Sequence, residues 1–305
     1  MSNSFSIVPI GRQSIALALL VNFIRGGNQV ALKLALGAYA PFWTAFGRMA
    51  IGATVVGFWS LFRAVPIVPR TDERRGLLIL GLLFTAQIGL MHYGADFTSP
   101  SYASVLMNSN PIFSNLLAHF VISGDRLSQR RLFGLVIAFT GVCTVFFGKP
   151  EERLASDPLF GNLLLLLSSI LVAVRVVYTH HLVQKIEPEK AAFWQMIFSL
   201  PLFLIAGLWS ASEVPYYIDW MALSGVFYQG AIVGGLAFTV WAYLLRRHTP
   251  GLLTFFNFTV PVFGVLLSVF VMEETVTARL ALGVCAVFVG IWLATGSSKK
   301  IPLEK

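Results

Sequence analysis

Charge is the scarce commodity in this sequence. Only 12% of its 305 residues are Asp, Glu, Lys or Arg, against 56% hydrophobic ones, which leaves too little polar surface to cover a water-soluble globule. Cysteine is limited to Cys143 and Cys285, both inside apolar runs and without Cys-x-x-Cys spacing, so core packing is favoured over a disulfide or metal role. Catalytic signatures are missing as well. His180-His181 is not followed by a His-Glu-x-x-His pattern, no Gly-x-Ser-x-Gly elbow is present, and the connections hold no acid cluster suited to Mg²⁺, so neither an enzyme nor a cofactor or metal is expected. The net charge of +8 would suggest nucleic acid in a soluble chain; here the charges sit in short connections between apolar runs and orient the chain instead.

What the sequence has in quantity is long hydrophobic runs. About 20 apolar residues cross the hydrocarbon core as a helix, and ten runs qualify: roughly 14–35, 42–62, 76–96, 101–122, 132–148, 159–182, 191–209, 220–245, 251–271 and 278–296. An all-α polytopic membrane protein of ten transmembrane helices follows. Lys and Arg divide fifteen to four between alternate connections, which places both termini in the cytoplasm and the chain in the cell's inner membrane. The first run has no small-residue cleavage site after it and reads as a retained signal anchor.

The runs repeat. Pro100 and Pro111 return as Pro250 and Pro261, Tyr93 as Tyr243, Phe42-Trp43 as Phe193-Trp194, and the pair Gly134 and Gly141 as Gly283 and Gly290. Ten spans split into two fives, residues 1–150 and 151–305. Because five is odd, the second copy enters the membrane from the opposite side, giving inverted-topology repeats. Pro111 and Pro261 fall mid-run, where proline removes a backbone hydrogen bond and kinks a helix, and are read as hinges.

Gly26-Gly27-Asn28 with Ala31 and Lys33, then Pro41 and Arg48, the mid-span Pro111 and Pro261, and the acidic hairpins Asp125-Arg126-Leu127-Ser128 and Glu274-Thr275-Val276-Thr277 resemble the EamA-type drug/metabolite transporters over nearly the whole chain. The resemblance implies a 5+5 inverted-repeat carrier with a central cavity lined by spans 1, 3, 4, 6, 8 and 9. Within that family the chain looks most like exporters of aromatic and other neutral amino acids.

Arg25 and Arg175 lie within spans 1 and 6, 150 residues apart. An ionisable group that deep usually faces the bundle interior or a watery cavity, so both are candidates to attract a substrate carboxylate; anchoring a helix is the alternative. Lys33 and Arg48 read as helix-end or interfacial cations. His92, four residues from Asp96, is a weak proton-coupling candidate. Asn108 and Asn110 could satisfy the carbonyl freed near Met107 or bind a zwitterion. With Asn28, Tyr93, Tyr178, Trp241, Tyr243 and Asn257 they complete the expected substrate-binding set, apolar walls carrying a few placed polar groups. The expected function is export of a small amphiphilic metabolite, neutral or aromatic amino acids first and organic cations second, by a monomer in the lipid bilayer without nucleic acid. A channel would not need the doubled inverted fold.

Overall fold

The computed structural model describes residues 12–121, 129–183, 185–210, 218–237, 240–241, 244, 256–257 and 259–295. Among them every regular element is helical. The first half holds α1 (Arg12–Gly26), α2 (Asn28–Leu36), α3 (Pro41–Phe62), α4 (Arg74–Asp96), α5 (Pro100–Met107), α6 (Asn110–Val121) and α7 (Gln129–Phe146). The second holds α8 (Pro158–Leu182), α9 (Pro188–Ser210), α10 (Trp220–Phe227), α11 (Thr259–Met272) and α12 (Ala278–Thr295). From Tyr228 to Ala237 the chain continues α10 with the wider winding of a π-helix.

Local chemistry sets the helix starts. Prolines stand at the first position of α3, α5, α8 and α9, where a missing N–H is harmless. Asp157 and Asp219 accept from the Phe160 and Ala222 amides at 3.2 and 2.8 Å, capping α8 and α10. The end of α3 turns through Ala64 at φ 51°, with the Val65 amide donating back to the Ser60 carbonyl at 2.9 Å, a Schellman closure.

Among the described residues seven stretches are long and apolar enough to cross a membrane: Arg12–Leu36, Pro41–Phe62, Arg74–Asp96, Gln129–Phe146, Pro158–Thr179, Pro188–Ser210 and Trp220–Ala237. The fourth expected span is divided, as α5 and α6 part at Asn108-Ser109, just before Pro111. Pro261 likewise sits in the first turn of α11. The outward faces are apolar: Phe62 is 85%, Trp209 89% and Phe270 79% exposed, a surface that suits lipid and would associate in water.

Small residues let helices approach. A Cβ added at Gly141 would lie 2.7 Å from the Gly283 carbonyl oxygen, and one at Gly290 would lie 2.5 Å from the Gly134 carbonyl oxygen. The two glycine pairs read from the sequence therefore meet each other across the α7–α12 seam.

Contacts between connections show which ends coincide. At one end the Lys33 ammonium donates to the carbonyls of Ala95, Asp96 and Thr98 at 3.2, 2.8 and 3.0 Å, and the Asp157 amide reaches the Phe97 carbonyl at 3.2 Å. Arg153 donates to the Met272 and Glu273 carbonyls at 2.8 and 2.6 Å. At the other end Trp194 donates to the Ile67 carbonyl at 2.8 Å and Lys190 to Glu73 at 3.1 Å. The path α1–α2 thus runs toward the Lys33 end, whereas α8 runs away from it.

Glu73 and Lys190 are both buried, and Lys190 also pairs with Glu187 at 3.1 Å. The Arg70 amide, 2.8 Å from its carboxylate, is the main influence holding Glu73 below the usual glutamate range; burial opposes it and Lys190 assists. A carboxyl depressed in the folded state stabilises above its unfolded pKa, and that contribution is lost as pH falls through the folded value. Thermal unfolding in detergent from pH 7 to pH 4 is expected to show a steeper acid loss for the natural chain than for Glu73→Gln. Parallel curves would contradict this.

Candidate functional site

Three arginines lie within the spans and none carries an ion pair among the described residues. The acids among the described residues lie in connections or at helix ends, so neutral groups hold the guanidiniums. Arg25, in the last turn of α1, lies over the Trp241 ring with 4.5 Å to its centroid. Arg175 on α8 lies over the Phe84 ring at 5.1 Å and donates to the Gln195 amide oxygen at 3.3 Å. Arg48 on α3 donates to the amide oxygen of Gln229 at 3.2 Å. Arg48 lies within electrostatic range of Arg175 and of His92.

Arg48 corrects the sequence reading. Seven residues into α3, about 10 Å from its start, it points inward to a buried amide and does not serve a helix end. The π-helical winding at Tyr228–Ala237 helps make this possible: Gln229 sits on its first turn, 0% exposed, with its amide nitrogen 3.4 Å from the Gly225 carbonyl. Wide turns of this kind re-aim side chains and cluster at functional sites. Gln229 and Gln195 went unrecognised in the sequence, where a glutamine inside an apolar run was the available signal. Lys33, by contrast, has the structural role expected of it, a cation on the carbonyl end of α4.

His92 is fully buried, with Nδ1 3.0 Å from the Ile88 carbonyl and Nε2 without a partner among the described residues. The described contacts do not join it to Asp96. Asn110 donates to the Met107 carbonyl at 3.0 Å and so covers the carbonyl that Pro111, without an N–H, cannot reach, while Asn108 donates at 2.7 Å to the Ser104 carbonyl, which its own backbone amide also reaches. Buried Asn28 and half-buried Asn257 each keep a side-chain oxygen without a partner among the described residues. Two expected members lie elsewhere. Tyr93 is 39% exposed and stacks on Phe42 at 5.9 Å in an outer aromatic group with Phe97 and Phe160. Tyr178 donates to the Gly76 carbonyl at 3.2 Å near the start of α4. Tyr243 lies outside the described residues.

A many-span helical bundle with apolar faces toward lipid and unpaired cations within is a polytopic membrane protein. The EamA-like transporter family matches residues 12–147 and again residues 159–296, and the chain belongs to that family. It is similar to a transporter, YoaV, of Bacillus subtilis (21% identical over 90% of this chain and 94% of the relative). It is also similar to a protein of Escherichia coli K12 named a probable amino-acid metabolite efflux pump (24% identical, 93% and 95%). A crystal structure at 19% identity shares the fold with a TM-score of 0.67, covering 92% of this chain and 97% of its own. The names of the family and of these relatives point to transporters rather than enzymes.

Proposed function

We propose that this chain is a secondary transporter that exports small metabolites bearing a carboxylate, with neutral and aromatic amino acids the first candidates. The observation that carries the proposal is that three interior guanidiniums are held, among the described residues, by rings and amides and by no carboxylate. Burying a cation mid-membrane costs about 2.5–3.5 kcal/mol on insertion scales, and a substrate carboxylate offsets that cost while the neighbouring rings take its apolar part. The arginines rank an organic cation below a carboxylate. The efflux-pump name of the E. coli relative supports export of amino acids.

The architecture proposed with it is ten spans in two inverted five-helix repeats, 1–150 and 151–305, around a midplane cavity. Support comes from the doubled family match, from the opposite directions of α1–α2 and α8, and from the like placement of Pro111 and Pro261 at the openings of α6 and α11. These prolines act as the hinges of alternating access. The protein works as a monomer in the inner membrane, termini cytoplasmic.

Counterflow of labelled phenylalanine and of a lipophilic cation into vesicles holding the purified full chain tests the reading. Saturable amino-acid exchange is expected, and Arg48→Gln or Arg175→Gln should raise its half-saturation about 10- to 100-fold, the scale of one charge-assisted hydrogen bond. Saturable flux of the cation alone, or variants with unchanged half-saturation, would overturn it.

A further inference from the structure

Two cavities that share Phe193 lie on the outer surface of the bundle, one where the connection after α3 and the start of α4 pack on α9 and one along the seam where α3 packs on α9. The first, of about 750 Å³, lies beside the arginine-rich connection 63–73 and is walled by Ile67, Pro69, Leu78 and Trp194, with Arg74 and Arg75 at its edge. The second, of about 420 Å³, runs down the seam between Ala50, Ala53 and Gly57 of α3 and Phe193, Ile197 and Leu200 of α9. Phe193 lines both. Its ring lies 3.2 Å from where a Cβ on Gly57 would stand, so the groove exists because α3 presents small residues there.

The chemistry changes from one cavity to the next. The upper one combines two exposed guanidinium side chains with a floor of rings, Trp194 tilted on Phe198 at 5.2 Å. Of the nearby acids, Glu73 is turned inward to Lys190 and the Arg70 amide, which leaves exposed Asp72 as the remaining acid on that connection. The lower cavity offers nothing polar to a ligand: its one hydroxyl, on Thr54, donates to the Ala50 carbonyl at 2.8 Å. From Leu61 to Ala50 the lower groove spans eleven residues, about 16 Å at the helical rise, which is one leaflet of a hydrocarbon core about 30 Å thick.

We propose that this seam is a binding site for an anionic phospholipid, its phosphate-bearing headgroup against Arg74 and Arg75 and one acyl chain laid along the groove to Ala50. An arginine pair at the membrane surface supplies the charge complement. A tryptophan at the same level is a common interfacial anchor. The groove's length and lack of polar groups select an alkyl chain, whereas a soluble phosphate ester could use only the upper cavity. The site lies outside the interior arginine group, so it stands or falls separately from the transport reading.

The test uses the purified, delipidated full chain, with lipid retention followed by native mass spectrometry. The probes are phosphatidylglycerol, phosphatidylcholine with the same chains, and glycerol 3-phosphate as the headgroup alone. Phosphatidylglycerol is expected to be retained in preference to phosphatidylcholine, and Arg74→Gln with Arg75→Gln to reduce that preference roughly 30-fold, the effect of two basic side chains at an anionic surface. Thr54→Phe, placed on an exposed groove position, is expected to weaken binding of both lipids while leaving elution of the folded protein unchanged. Equal retention of the two lipids would overturn the site, as would glycerol 3-phosphate binding as tightly as phosphatidylglycerol. Lipid binding indifferent to both the arginine and the Thr54 changes would do the same.

Discussion

Leucine in place of Gly290 is expected to prevent α12 from seating on α7, with loss of most folded protein. A side chain there meets the Ala138 amide nitrogen and the Gly134 carbonyl oxygen, both backbone atoms, so no rotamer change can make room. Overpacking a tight core usually costs about 1–3 kcal/mol because neighbouring side chains yield; here a helix must move, and the cost lies at or above that range. Gly89→Ala is the contrasting change, since the nearest atom to its new Cβ is 3.6 Å away, an ordinary contact. Monodisperse yield in mild detergent and the unfolding temperature should separate the two. A Gly290→Leu protein that elutes and melts like the natural chain would show that the α7–α12 seam does not carry the bundle.

The second large effect is expected at Glu274, 2% exposed in the connection between α11 and α12. Its carboxylate accepts from the hydroxyls of Ser99 and Ser268 and from the Ser101 amide at 3.2 Å, and it lies within electrostatic range of Lys33. It ties the end of the second half to the α4–α5 turn of the first. Tyr102 with Thr277 at 3.4 Å and Glu151 with the Thr275 amide at 2.5 Å run beside it. Glu274→Ala leaves buried donors without an acceptor. The serine hydroxyls can rotate to other partners but the Ser101 N–H cannot, which sets the loss at about 1–3 kcal/mol. Amide hydrogen exchange over residues 97–103 should rise in Glu274→Ala and less in Glu274→Gln, which keeps one acceptor oxygen. Unchanged protection in both variants would mean that this end is closed by other contacts.

The apolar runs, the break before Pro111 and the role of Lys33 were legible because each depends on local chemistry: burial of a run, a missing amide, a long cation near a helix end. Asn108 and Asn110 were legible to the level of a choice, and the structure shows them donating to the Ser104 and Met107 carbonyls. Arg48 was not legible. Its partner stands 181 residues away on a helix whose winding changes at Tyr228, and a change of winding rotates every later side chain relative to a regular α-helix. The surroundings of Tyr93 and Tyr178 were not legible either, for a related reason. Periodicity tells which residues share a face, and in a span apolar all round it does not tell which face meets lipid and which meets a neighbour.

By itself, then, the sequence determined that the chain is a doubled set of membrane helices with cations inside its spans and acids only at their ends or between them, since a chain this apolar must satisfy its backbone within the membrane and its runs are of helical spanning length. Only the tertiary structure decided which cations face inward, that glycines of the two halves meet backbone to backbone, and that rings and amides, not carboxylates, hold the buried guanidiniums. Those outcomes depend on the rotation and approach of whole helices, quantities set by packing between segments more than a hundred residues apart.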